Sequence, residues 1–118
     1  MTKETVIPAD SKRESVHCIV IITCPLQKEA ATIKDLLLRN HLVACVNIIK
    51  GVDSFFWWQG KINFASEVIL LAKTTRAKFK EIVRCVTKVH TYDTPEIIAI
   101  PIIKGNKPYL KWIDDSLK

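Results

Sequence analysis

The stretch that decides the fold is LVACVNIIKGVDSFFWWQGKI, Leu42 to Ile62. It opens with β-branched and apolar residues, breaks once at Gly51, and continues through four consecutive aromatics, Phe55, Phe56, Trp57 and Trp58. Fully extended, it would reach about 70 Å, against a radius of gyration near 13–14 Å for a compact chain of this size. It must therefore bend, and Gly51 is where a bend is cheapest. The spacing predicts a strand over Leu42–Lys50, a second extended stretch over Val52–Ile62, and a turn near Asn63–Ser66, where Asn and Ser cluster. The distal part then projects from the rest of the sheet as a hairpin. An apolar projecting strand aggregates unless another chain covers it, so Phe55–Trp58 are candidate interface residues.

Working outward, HCIVIITC (His17–Cys24) is a β-branched run ended by Pro25. Ala30, Ile33 and Leu37 recur at helical spacing over Gln27–Asn40. Glu67–Lys73 reads as a strand. Thr74 or Thr75 is positioned to cap a following helix that runs to Val89. Ile97–Ile103 is a last strand, in which Pro101 belongs at an edge or a bulge because it has no N–H to give a ladder. A short helix over Pro108–Ser116 is expected to bury Tyr109, Trp112 and Ile113. The order is βαββαβ plus a terminal helix, an α+β chain with a ferredoxin-like antiparallel sheet. One domain over residues 17–118 follows, with residues 1–16 a polar, disordered tail.

Several classes are excluded at this level. No apolar run approaches the ~20 residues of a membrane span, and residues 1–15 lack the apolar core of a secretory signal, so a cytoplasmic protein is expected. The net charge of +6 is concentrated between Lys73 and Lys88, where six cations face only Glu81. Arg76, Lys80, Arg84 and Lys88 fall at i, i+4, i+8 and i+12, the solvated stripe of an amphipathic helix. No aromatic interleaves with them, and the first strand carries none, so nucleic-acid recognition is not expected. Both sheet faces are apolar, yet two crossover helices cover only one, which argues for a homo-oligomer.

Few residues carry legible chemistry. The four cysteines, 18, 24, 45 and 85, include no C-x-x-C pair and sit among apolar neighbours, where a free thiol behaves as a small hydrophobe. The first strand-to-helix turn has no glycine run to cradle a phosphate. The densest polar cluster is His90-Thr91-Tyr92-Asp93-Thr94-Pro95-Glu96. An imidazole with carboxylates suits borderline divalent ions, and a nearby thiolate such as Cys85 would favour Cu(I). The competing reading is a histidine that stabilises a helix C-terminus.

Taken in order, Ala44-Cys45-Val46-Asn47, Trp58-Gln59-Gly60-Lys61, Glu67 through Lys73-Thr74, His90–Glu96, Pro101 and Gly105, then Tyr109-Leu110 and Trp112, resemble the CutA family of divalent-cation tolerance proteins. The resemblance spans residues 17–117 and implies a homotrimer built through extended hairpins, cytoplasmic, with no catalytic activity. It implies copper or another divalent metal as ligand, not required for folding, with His90, Cys45 and Cys85 as the metal-ligating candidates. It also implies that Lys61, Glu67, Lys73, Tyr92, Asp93 and Glu96 line an intersubunit pocket. The family's loop usually reads His-Pro-Tyr-Glu, and here Thr91 and Asp93 stand at its second and fourth positions. The alternative function is a trimeric signalling or anchoring module that binds a small anion or a partner protein, with metals incidental.

Overall fold

Burial alternates over the first six residues of His17–Cys24 (β1), with Cys18, Val20 and Ile22 buried and Ile19 and Ile21 only partly so. This alternation marks a strand with one covered and one less covered face. The computed structural model describes residues 16–118, so the expected tail falls almost entirely outside the described residues. After β1 come α1 (Gln27–Arg39), β2 (Cys45–Trp58), β3 (Lys61–Thr75), a 3-10 turn (Arg76–Lys78), α2 (Phe79–Val89), β4 (Ile97–Pro101) and α3 (Lys107–Ser116). The four strands form one sheet in the order β2-β3-β1-β4, each neighbour antiparallel. This is the α+β architecture that the element order predicts.

The covered face holds the core. Ala30, Ile33 and Leu37 of α1 and Ile82 and Val86 of α2 pack with Val20, Ile22, Leu70 and Ala72, all inaccessible to solvent. The three apolar positions predicted for α1 are thus its buried ones, and Arg76, Lys80, Arg84 and Lys88 all face solvent. The opposite face is covered only in part, by α3, which packs against β3 and whose Asp114 meets His17 of β1 at 2.9 Å. The residues of this face follow from the register, since directly paired residues share a face: Ile19 pairs with Ile100, and Ile21 with both Leu71 and Ile98. Ile98 and Ile100 remain about half exposed.

The decisive stretch folds differently in one detail. The hairpin turn lies at Gln59-Gly60, not at Asn63–Ser66. Both residues have positive φ, 51° and 77°, the conformation of a two-residue type I′ turn, whose twist matches the flanking strands. Asn63 supports that turn from within β3, donating to Trp58 O and Lys61 O. Gly51 is the expected bend: at φ 66° it occupies a bulge where Ile49 pairs with Ile69 and Val52 with Glu67, one extra residue on β2. The strand continues through it, and the hairpin extends the described residues to 52 × 35 × 24 Å, with a radius of gyration of 16.6 Å. Phe55, Trp57 and Trp58 on it are more than 60% exposed.

Three smaller expectations also change. Neither Thr74 nor Thr75 caps α2, because β3 runs through both and the 3-10 turn intervenes. The buried Thr74 hydroxyl instead donates to Leu42 O at 2.6 Å. The last strand ends at Pro101, on the edge strand as expected. On α3 only Ile113 is buried; Tyr109 and Trp112 stay 40% and 45% exposed, their rings 5.5 Å apart. No helix among the described residues is long and apolar enough to cross a membrane.

Candidate functional site

The ends of three elements, β1, α1 and α2, converge at one end of the sheet. Pro25 stops β1 just after Thr23 and Cys24. Helix α1 then begins at Gln27 and places Glu29 in its first turn, where a carboxylate complements the helix dipole. Helix α2 ends at Val89, and His90, in extended conformation, closes it with a backbone N–H to Val86 O at 2.9 Å. From this position the imidazole turns inward and its side chain is fully buried.

The His90 ring is held at both nitrogens. Nε2 lies 2.7 Å from Thr23 O, a carbonyl, so it carries the proton and donates. Nδ1 lies 3.0 Å from Tyr92 N and 3.2 Å from Glu29 Oε2. It serves one partner at a time, accepting from the Tyr92 N–H or, when protonated, donating to Glu29. Glu29 is itself oriented by Thr91, whose backbone N–H donates to Oε2 at 3.2 Å and whose hydroxyl donates to Oε1. Cys24 completes the cluster: its Sγ, one Glu29 oxygen and one His90 nitrogen all lie within 4.8 Å of one another. Burial, reinforced by the nearby Glu29 and Glu67 carboxylates, pushes the Cys24 thiol up to about 12.

Beside this cluster runs a groove of about 840 Å³ between the hairpin and loop 90–96. Its aromatic wall is Phe55, Phe56, Trp58 and Phe64; its polar wall includes Glu67, Tyr92, Asp93 and Glu96. No lysine or arginine lines it among the described residues. Glu67, 7% exposed on β3 beside the Gly51 bulge, accepts a hydrogen bond from the Tyr92 hydroxyl at 2.7 Å. Burial first, and then this bond to Glu67, push the phenol up to about 12, so it stays a donor.

Of the six residues expected to line an intersubunit pocket, Glu67, Tyr92, Asp93 and Glu96 lie together along this groove within one chain. Lys61 is at the hairpin tip, opposite Trp58. Lys73 is at the far end of β3, donating to Asn47 Oδ1. The expected metal ligands do not meet within one chain. Cys45 pairs with Lys73, five ladder positions from Val68, the partner of Cys24, or about 17 Å along the strand. Cys85 remains in regular helix, one and a half turns before His90, with Sγ 3.7 Å from Glu81 Oε2. Cys24 and Glu29 are the residues that sequence reasoning missed. The available signal was positional, since Cys24 ends a strand and Glu29 starts the next helix, the same end of the sheet to which α2 returns.

Fold and cluster together define a class: an α+β chain with one sheet face only partly covered, a projecting aromatic hairpin and a mixed sulfur, nitrogen and oxygen donor set where two helix ends meet. The sequence matches the family profile described as CutA1 divalent ion tolerance protein over residues 18–116. A divalent-cation tolerance protein CutA from Archaeoglobus fulgidus is 45% identical over 103 residues, 87% of this chain and 100% of that protein. A protein CutA homolog from Danio rerio is 35% identical over 101 residues, 86% of this chain and 67% of that protein. Two solved structures are similar throughout. That of the A. fulgidus protein, described as periplasmic, has a TM-score of 0.84 at 45% identity, covering 86% of this chain and 99% of the other. That of the Thermus thermophilus protein has a TM-score of 0.81 at 41% identity, covering 82% and 94%. The chain belongs to the CutA1 divalent ion tolerance family.

Proposed function

We propose that this chain acts in the cytoplasm as a ferredoxin-like homotrimer that binds copper or another divalent cation, without catalysing a reaction. The observation that carries this reading is the setting of His90. Its Nε2–H is fixed on the Thr23 carbonyl, which aims Nδ1 at a carboxylate. A ligating histidine is commonly oriented in this way by a hydrogen bond from its other nitrogen. The family's link to divalent-cation tolerance supplies the ligand class.

Assembly is supported by what one chain leaves uncovered. The partly covered sheet face presents Ile98 and Ile100, and the hairpin presents Phe55, Trp57 and Trp58, an apolar extent unusual for a monomer. Assembly also bears on the ligands: a site that combines His90 with Cys45 has to be built from two chains, given their separation in one. The alternative reading, a signalling or anchoring module, keeps one arm. A groove lined by Glu67, Asp93 and Glu96 with no basic residue favours a cationic partner over a small anion.

Copper titration by isothermal calorimetry, alongside sedimentation equilibrium, tests the proposal. Saturable low-micromolar binding to a trimer, lost in His90→Ala, is expected. No saturable binding by the wild-type chain, or a folded monomer at micromolar concentration, would overturn it.

A further inference from the structure

We infer that Cys24, Glu29 and His90 form an intrachain site for a zinc-like divalent ion, with one sulfur, one oxygen and one nitrogen ligand. This deepens the metal-binding reading above and rests on it. The three donors come from the end of β1, the first turn of α1 and the residue that closes α2, so the fold itself brings them together. Their ligand atoms lie within 4.8 Å of one another. Tetrahedral coordination at bond lengths of about 2.0–2.3 Å needs donors roughly 3.5 Å apart. His90 Nδ1 and Glu29 Oε2, at 3.2 Å, already meet that spacing. The longest remaining edge must close by little more than about 1 Å, within the reach of side-chain rotation.

Two of the three ligands carry the supporting contacts that such sites use. The Thr23 carbonyl holds the far nitrogen of His90, and Thr91 holds Glu29 through its N–H and its hydroxyl. Metal at Nδ1 displaces the Tyr92 N–H, one neutral hydrogen bond. Charge argues in the same direction. Cys24 is fully buried, the His90 side chain is fully buried and the Glu29 side chain is 10% exposed. A dication there is balanced by one thiolate and one carboxylate, so the loaded cluster is neutral in surroundings where net charge is costly. On binding, the S–H bond breaks, sulfur bonds the metal and the proton leaves to solvent. A thiolate with an imidazole favours zinc and its soft or borderline neighbours over magnesium or calcium.

Cobalt(II) titration of the full chain provides the test, read by the sulfur-to-cobalt charge-transfer band and by displacement with zinc. The band is expected in the wild type and in a Cys45→Ser/Cys85→Ser variant, and is expected to vanish in Cys24→Ser. Glu29→Gln is expected to weaken binding about 10-fold or more. X-ray absorption on the zinc-loaded wild type, expected to show one sulfur scatterer, gives a result independent of whether Cys24→Ser folds. A band that persists in Cys24→Ser, or saturable binding without any sulfur ligand, overturns this site and leaves the broader metal reading standing. Absence of saturable cobalt and zinc binding to the wild type overturns this site, and the broader reading falls with it only if copper also fails to bind.

Discussion

Replacing Tyr92 with phenylalanine removes one hydroxyl whose partner is a buried charge, and the cost follows from the geometry. The phenol donates to Glu67 Oε2 at 2.7 Å, and Glu67 is only 7% exposed. A hydrogen bond to a charged group contributes about 1.5–3 kcal/mol, and its loss leaves the carboxylate poorly solvated. At about 4 °C per kcal/mol for a chain of this size, Tyr92→Phe lowers Tm by roughly 6–12 °C. A double-mutant cycle with Glu67→Gln isolates the pair. Guanidinium unfolding at one fixed protein concentration is the appropriate assay, because assembly makes apparent stability concentration-dependent. The expected coupling energy is about 1–2 kcal/mol. A coupling inside the roughly 0.3–0.5 kcal/mol range of independent sites would refute the reasoning, and the bond would then add nothing to the loop's attachment.

Gly60→Val puts a β-branched residue at φ 77° and is expected to cost about 1–2 kcal/mol, seen as a lower guanidinium midpoint with an unchanged slope. Leu37→Ala empties a fully buried position and is expected to cost about 2–5 kcal/mol. The adjacent Leu38→Ala, at 36% exposure, should cost about 0.5 kcal/mol or less in the same assay. Burial raises the Cys18 thiol above its ordinary 9.0, against a smaller opposing pull from Arg76. Because the folded value is the higher one, its contribution to stability is complete below pH 9 and declines as pH rises through the folded value. Cys18→Ala should lose that alkaline dependence, and a stability profile above pH 9 unchanged by the substitution would contradict the assignment.

Periodicity carried most of the fold. Ala30, Ile33 and Leu37 follow a helical repeat because α1 presents one stripe to one sheet, so pattern and burial coincide. Pro101 announced an edge through what it lacks, an N–H. The hairpin turn was harder to place. Asn63 and Ser66 are stronger turn formers by type than Gln59, and the left-handed conformation of Gln59 is imposed by the twist of the paired strands rather than by its own preference. The exposed Tyr109 and Trp112 illustrate the opposite limit: their apolar character marks a surface to be covered, and sequence does not say whether a neighbouring element or a neighbouring chain covers it.

The site obeys a different logic from the fold. Local density in the sequence pointed to His90 and to the nearest thiol upstream, Cys85, but a helix that stays regular to Val89 holds Cys85 one and a half turns away. Cys24 is 66 residues from His90 in sequence, yet its neighbour Thr23 accepts the imidazole N–H directly. The link between them is topological: β1 and α2 finish at the same end of the sheet, so the last residue of one meets the first residue after the other. Thr91 adds a contact that proline at the same position lacks, because proline has neither an N–H nor a hydroxyl to give Glu29. A substitution that looks like a departure from the loop pattern therefore orients a carboxylate inside this chain. Thr91→Val, which keeps the N–H and removes the hydroxyl, should weaken cobalt binding less than Glu29→Gln does, and equal losses would contradict the primary role given to the carboxylate charge.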